Sequence, residues 1–298
     1  MPLPLARRTA GMAIAPLVVV TLAPAPPAAQ FRGALDVVEI TATVTDGKGR
    51  FLTGLRESDF AVREDGVPQR LLRVDANREP VSLGLVLDAS ASMQGERMDA
   101  ARAAIHRLLF ERSDPRDELF FVEFGFNARL TQAWTSDRQL LRGALQDVQP
   151  TGDTALYDAV ALAVPTAQAG RHRKKVLLVI SDGRDTRSAL SVEALRDVIA
   201  TSDVLVYALG FEKLAGSPDG YEPKSLRQIT DATGGRTEMV QRPDQLTAAV
   251  DRIAEELGRQ YQLAYERTGP RDGRRHAIQV GVKARGARVR ARAGYVAN

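Results

Sequence analysis

The chain has 298 residues, of which 44% are hydrophobic and 26% are charged, as is ordinary for a soluble globular protein. This length suffices for one large domain or two smaller ones. Because the chain contains no cysteine, disulfides, a lipid-modified cysteine and a thiol nucleophile are excluded. The formal net charge of +4 is unevenly distributed, since residues 271–298 hold eight Arg or Lys residues against one acid, Asp272.

Residues 1–29 predict a secretory signal peptide. Arg7 and Arg8 precede an apolar stretch at 12–23, and the segment PAPPAA at 24–29 suits cleavage near Ala28 or Ala29. The apolar stretch is shorter than the roughly 20 residues that span a bilayer. We therefore expect a secreted or periplasmic protein without a transmembrane segment after cleavage. An uncleaved signal that anchors the protein in the membrane is the alternative.

Two segments with β character lie near the ends of the chain. The first, residues 30–80, contains the β-branched run VVEITATV and the turn pairs Asp46-Gly47 and Asp65-Gly66. The second, residues 259–298, contains three strand candidates, at 261–265, 276–282 and 287–293. Neither segment is long enough to bury a core alone, so we expect the two to pair.

Between them, residues 81–258 alternate between apolar runs and helical patterns. The apolar runs at 119–124, 176–180 and 204–209 are typical of central parallel strands that are covered on both faces. This alternation predicts an α/β fold with a doubly wound, mainly parallel sheet. Beyond the helical pattern of Met98 to Leu109, helices are expected at 136–148, 155–169, 191–202, 222–233 and 243–258.

Three loops in this region carry candidate metal ligands. An apolar strand runs directly into Asp88, Ser90 and Ser92, at the strand end where open α/β sheets bind ligands. Carboxylate and hydroxyl oxygens suit Mg²⁺ better than zinc, although a turn that caps the next helix would also use Asp and Ser. Later, Thr154 precedes a helical pattern and Asp182 follows another apolar strand, which favours the metal site.

Together, the segments DASAS, GDTALYDA and SDG resemble the metal-ion-dependent adhesion site of von Willebrand factor A (VWA) domains. The resemblance implies that Asp88, Ser90 and Ser92 hold a metal directly, and that Thr154 and Asp182 bind it directly or through water. The implied cofactor is Mg²⁺, with Mn²⁺ or Ca²⁺ as alternatives. The sequence departs from the usual pattern at two glycine positions, which are occupied by Ala91 and by Asp153, an additional carboxylate.

The resemblance extends over residues 37–296. A bacterial group of secreted proteins with a VWA-related domain has a segment similar to GLRESDFAVREDGVPQ before the metal domain, and segments similar to LGRQYQLAYE and RARAGYV after it. The resemblance implies that residues 81–258 form a Rossmann-like VWA domain. It would be inserted in a small β-sandwich made by residues 30–80 and 259–298.

The expected function is divalent-metal-dependent protein binding in the bacterial envelope or exterior, with a Glu or Asp of the protein partner completing the metal shell. One alternative is a structural envelope protein that its metal site stabilises. The other is a Mg²⁺-dependent hydrolase of the haloacid dehalogenase type, which requires an acid where Ser90 stands. Other catalytic motifs are absent, and His106, His172 and His276 lack metal-ligand spacing, so we expect no enzyme.

Two surface features remain. Arg288, Arg290 and Arg292 alternate with small or apolar residues, which predicts a row of arginines on one solvated strand face. A docking stripe for an anionic envelope polymer is the alternative, and nucleic acid is not expected. Residues 212–223, rich in Gly, Pro and Asp, follow a predicted strand and are a candidate for the partner-specific surface.

Overall fold

The strands and helices follow the apolar runs and helical patterns of the sequence. The computed structural model describes residues 36–211 and 223–297. The strands are β1 (Val37–Thr45), β2 (Phe60–Glu64), β3 (Val67–Gln69), β4 (Leu71–Asp75), β5 (Val81–Asp88), β6 (Glu118–Phe124), β7 (Ala128–Thr135), β8 (Lys174–Ser181), β9 (Leu205–Phe211), β10 (Thr237–Val240), β11 (Tyr261–Glu266), β12 (Arg275–Val282), β13 (Arg288–Arg290) and β14 (Gly294–Val296). The α-helices are α1 (Glu96–Arg107), α2 (Arg138–Gln146), α3 (Leu156–Gln168), α4 (Val192–Ala200), α5 (Pro223–Thr230) and α6 (Leu246–Leu257).

Some sequence predictions fall outside the described residues. These are the signal peptide at 1–29 and nearly all of the candidate partner loop, residues 212–222. Within residues 36–211 and 223–297, no helix is long and apolar enough to cross a membrane.

The central sheet has six strands in the order β10-β9-β8-β5-β6-β7. All neighbours are parallel except β6 and β7, which are antiparallel. Helices α1, α2 and α6 pack on one face and α3, α4 and α5 on the other, each over its own buried cluster. The predicted doubly wound, mainly parallel sheet is confirmed.

Glycine at position 84 allows the aromatic packing of this sheet. Gly84 lies in the middle of the fully buried strand β5. A Cβ atom there would lie 2.3 Å from Cζ of Phe120 on β6 and 2.5 Å from Leu177 on β8. Because interior packing is dense, a larger residue would displace both neighbours.

The two ends of the chain form a β-sandwich, as predicted. One antiparallel sheet has the order β13-β1-β11-β4 and the other β14-β12-β2-β3. Ile40 lies opposite Leu263 in the first sheet, and both are fully buried in a separate core with Phe60 and Tyr261. The strand expected at 287–293 is shorter than predicted, because only β13 (Arg288–Arg290) lies within it, and β14 follows it in the other sheet.

A buried carboxylate connects the sandwich to the central domain. Glu256 of α6 is 1% exposed and accepts hydrogen bonds from Tyr207 Oη at 2.7 Å and Thr43 Oγ1 at 3.0 Å. Arg236 pairs with it at 3.2 Å, and Arg290 of β13 also binds it. Arg290 therefore does not belong to a solvated arginine face.

Candidate metal centre

Asp88 ends strand β5 and is completely buried at the carboxyl edge of the sheet. Its Oδ1 accepts a hydrogen bond from the Ser90 amide at 2.8 Å, and its Oδ2 accepts one from Ser181 Oγ at 2.6 Å. Burial raises the pKa of Asp88 to about 6, although these hydrogen bonds act in the opposite direction. A carboxylate desolvated to this degree gains from a nearby cation.

The two serines after Asp88 present neighbouring hydroxyls. The Oγ atoms of Ser90 and Ser92 lie 3.0 Å apart and are hydrogen-bonded to each other. Ser90 is buried and Ser92 is exposed, while Met93 in the same turn is fully buried and holds the turn against the core. Adjacent ligands of an octahedral Mg²⁺ ion, each at about 2.1 Å, lie about 3.0 Å apart. The spacing of the two hydroxyls therefore fits such an ion.

Backbone hydrogen bonds join the Asp88 loop to the loop that carries Thr154. The amide of Thr151 donates to the Ala89 carbonyl at 2.7 Å, and the amide of Ala91 donates to the Gly152 carbonyl at 3.1 Å. Thr154 is 4% exposed. Its hydroxyl makes no hydrogen bond with any residue in the described ranges, which leaves the oxygen free to bind a ligand.

Asp182 directly follows Ser181 at the end of β8 and is 5% exposed. Arg97 Nη1 donates to Asp182 Oδ2 at 3.2 Å and to the Ser92 carbonyl at 3.1 Å. The same guanidinium lies 5.5 Å from the centroid of the Phe211 ring. The sequence did not indicate Arg97, which brings a positive charge to the predicted site.

The five predicted ligand residues thus lie on three loops at one edge of the sheet. Their donors are carboxylate and hydroxyl oxygens, which suit a hard divalent cation. Beside them is a cavity of about 340 Å³, lined in part by Ser92, Arg97 and Phe211. Asp153, the departure from the usual glycine, is exposed.

Other side chains at this edge were not predicted. Phe126, just beyond the end of β6, is 50% exposed, and the Arg187 guanidinium lies 3.6 Å from its ring centroid. Tyr157, by contrast, is partly buried and packs against the buried cluster of α3. Phe126, with the Arg187 guanidinium over its ring, therefore remains half exposed to a partner that approaches the predicted metal ligands.

A second group of titratable residues lies in the sandwich, around His276. Its Nδ1 lies 2.8 Å from Asp65 Oδ2 and 3.4 Å from Glu64 Oε1, and its Nε2 lies 3.2 Å from Asp272 Oδ1. Asp272 and Asp65 raise the pKa of His276. Sequence spacing could not indicate this group, because residues 64–65 and 272–276 meet only through strand pairing.

Comparisons with known proteins identify the domain that holds the predicted metal ligands. Residues 83–184, which include all five, match the family model for the von Willebrand factor type A domain. The chain contains a von Willebrand factor type A domain. No curated protein matches the chain.

Solved structures share the fold of this chain. A von Willebrand factor type A protein from Catenulispora acidiphila is 18% identical, covers 87% of this chain and 73% of its own, and has a TM-score of 0.52. Proximal thread matrix protein 1 from the mussel byssus, with a zinc-occupied MIDAS motif, is 17% identical over 65% of this chain and 50% of its own, with a TM-score of 0.54. The PilB minor pilin from Streptococcus sanguinis is 11% identical over 62% of each chain, with a TM-score of 0.51.

Proposed function

We propose that this VWA protein is a divalent-metal-dependent protein-binding module without enzymatic activity. The observation that carries the proposal is the buried Asp88 carboxylate beside two serine hydroxyls 3.0 Å apart, at the carboxyl edge of a parallel sheet. Asp88, Ser90 and Ser92 would hold the cation directly, with Thr154 and Asp182 binding directly or through water. A bound Mg²⁺ ion would supply a Lewis-acidic position for an oxygen ligand from outside.

The charges favour an anionic partner group. Two of the proposed direct ligands are neutral hydroxyls, and the Asp182 carboxylate is shared with Arg97. The single negative charge of Asp88 does not neutralise a divalent cation. A Glu or Asp side chain of a protein partner would complete the neutralisation, and Arg97 would attract the same group.

The same arguments count against the hydrolase alternative. Ser90 occupies the position that requires the acid/base carboxylate, and its hydroxyl is already hydrogen-bonded to Ser92. A structural role for the cation is the second candidate, because Asp88 joins the β5 and β8 loops through Ser181. Partner capture separates the two roles, since only a binding module loses its partner when the cation is removed.

We further propose that the protein acts in the bacterial envelope or outside the cell, secreted or periplasmic. The support is the pattern of residues 1–29, which has the charged start, apolar centre and small-residue end of a secretory signal. Mg²⁺ is the proposed cation, and Mn²⁺ or Ca²⁺ are the alternatives to test.

Calorimetric titration with Mg²⁺, Mn²⁺, Ca²⁺ and Zn²⁺ tests the metal site. We expect wild type to bind at least Mg²⁺ or Mn²⁺, and Asp88→Ala to lose measurable binding. Asp99→Ala is the matched control, because Asp99 is an exposed acid that pairs with Arg102 on α1. Equal cation affinity of Asp88→Ala and wild type would exclude Asp88 as a ligand.

Affinity capture from an envelope extract, in Mg²⁺ and in chelator, tests the partner. We expect one or more proteins to be retained only in Mg²⁺, and to be lost with Asp88→Ala but not with Asp99→Ala. Melting curves with and without Mg²⁺ accompany the capture. A cation that raises the melting temperature while capture is unchanged by chelator would establish the structural role instead.

A further inference from the structure

A basic cleft lies where the VWA domain meets the sandwich. Its volume is about 860 Å³, within the roughly 300–1,000 Å³ of small-molecule sites. The walls come from α4 and α5 on one side and from β12 and the start of β14 on the other, and Ile199, Ala200, Val204 and Ala232 provide apolar surface. The cleft thus combines an apolar surface with polar walls.

The charged residues that line the cleft are mostly positive. Five cations line the cleft against two acids, which leaves an excess of three positive charges. Asp203, one of the acids, already pairs with Lys175 at 3.6 Å. The five cations are Arg196, Lys224, Arg227, Arg275 and Arg292. None of them forms an ion pair with another described residue.

Arg292 distinguishes this cleft from an ordinary solvated surface. It is partly buried, its Nε is shielded from solvent without a hydrogen-bond partner, and burial lowers the pKa of its guanidinium. The Arg292 guanidinium lies 5.3 Å from the centroid of the Tyr295 ring. The negative charge of Asp203 acts in the opposite direction to burial but offsets only part of it, so a bound anion would further stabilise the charged guanidinium.

We propose that this cleft binds a phosphate-bearing anion, with Arg292 as the central ligand and Arg227 and Arg275 at its sides. A guanidinium matches the oxygens of a phosphate in a bidentate manner. The excess of positive charge favours a ligand with several negative charges, and a phosphate group carries up to about two. The source is either a small phosphate ester or a phosphate polymer, and both share this chemistry.

The cleft is separate from the predicted metal site. Ser202, Asp203 and Val204 line it just before β9 begins, so it lies at the amino edge of the parallel sheet. Asp88 and Asp182 lie at the carboxyl edge. Phosphate binding should therefore be independent of the divalent cation and of Asp88.

Calorimetric titration of the full chain with inorganic tripolyphosphate, without divalent cations and at about 150 mM salt, tests the proposal. We expect wild type and Asp88→Ala to bind equally, and Arg292→Gln to bind about tenfold more weakly or not at all. Arg227→Gln combined with Arg275→Gln should weaken binding severalfold even if Arg292→Gln fails to fold. Arg288→Gln is the matched control, because Arg288 is an exposed arginine of β13 outside the cleft.

The outcomes separate the alternatives. Loss of binding in the cleft variants but not in Arg288→Gln supports the site. In parallel titrations, binding of one tripolyphosphate per chain assigns a small phosphate-bearing ligand, and binding of long-chain polyphosphate alone assigns a polymer. Citrate binding as tightly as tripolyphosphate would overturn the assignment to phosphate. Equal loss in every arginine variant, or none in any, would overturn the site itself.

Discussion

The amine of Lys174 lies in the core at the start of β8, where the residue is only 3% exposed. Its Nζ donates a hydrogen bond to the carbonyl of Leu257 at the end of α6. Burial lowers the pKa of Lys174 from 10.5 to about 7, while the negative charge of Glu256 acts in the opposite direction. The folded protein therefore favours the neutral amine at a pH where the unfolded chain carries the proton.

This difference makes stability depend on pH with a defined sign. Between about pH 7 and pH 10.5 the unfolded state binds a proton that the folded state does not, so Lys174 makes folding more favourable as pH rises. The slope is about 1.4 kcal/mol per pH unit. Lys174→Met keeps the apolar stem and removes the titration. Wild type should therefore gain about 2 kcal/mol relative to Lys174→Met between pH 7.5 and 9.

Urea denaturation of both proteins at several values in this pH range measures the difference, with fluorescence of Trp134, the single tryptophan, as the probe. Lys175→Met is the control, since Lys175 is the next residue and pairs with Asp203. It should follow the pH dependence of wild type. A difference between wild type and Lys174→Met that is constant with pH would refute the argument that Lys174 is buried as a neutral amine.

Three further predictions concern the buried junction and the metal edge. Glu256→Ala should lower the free energy of unfolding by about 3–5 kcal/mol, because Arg290 would lose the buried carboxylate that it binds. A decrease of less than about 1 kcal/mol in urea denaturation would contradict this prediction. Arg97→Gln should tighten Mg²⁺ binding a few-fold, because it removes a positive charge, and should weaken binding of the acidic partner. If calorimetry showed that both affinities rise or that both fall, the proposed role of Arg97 would be contradicted. Asp153→Gly should weaken Mg²⁺ binding no more than about threefold, since Asp153 is exposed, and complete loss would make it a direct ligand.

The central sheet was predictable because parallel strands buried on both faces are continuous apolar runs. The antiparallel strand β7 was not predicted, since its sequence ARLTQAWT lies at the sheet edge and is only partly buried. Asp88, Ser90 and Ser92 were predicted from the rule that ligands bind at the carboxyl ends of parallel strands, whereas the roles of Thr154 and Asp182 came from the resemblance to VWA domains. Ser181 and Arg97 were missed because their contacts with Asp88 and Asp182 depend on the fold and not on any local spacing.

The C-terminal arginines show where periodicity stops being informative. Alternation predicts a common face only while one strand continues, and β13 ends at Arg290 before β14 begins in the other sheet. Arg288 is consequently exposed, Arg290 binds the buried Glu256, and Arg292 enters the basic cleft. Three similar residues therefore have separate physical roles, so deleting the basic segment as a whole would combine a folding defect with any binding defect. Single substitutions distinguish them, because only Arg292→Gln should lose tripolyphosphate binding.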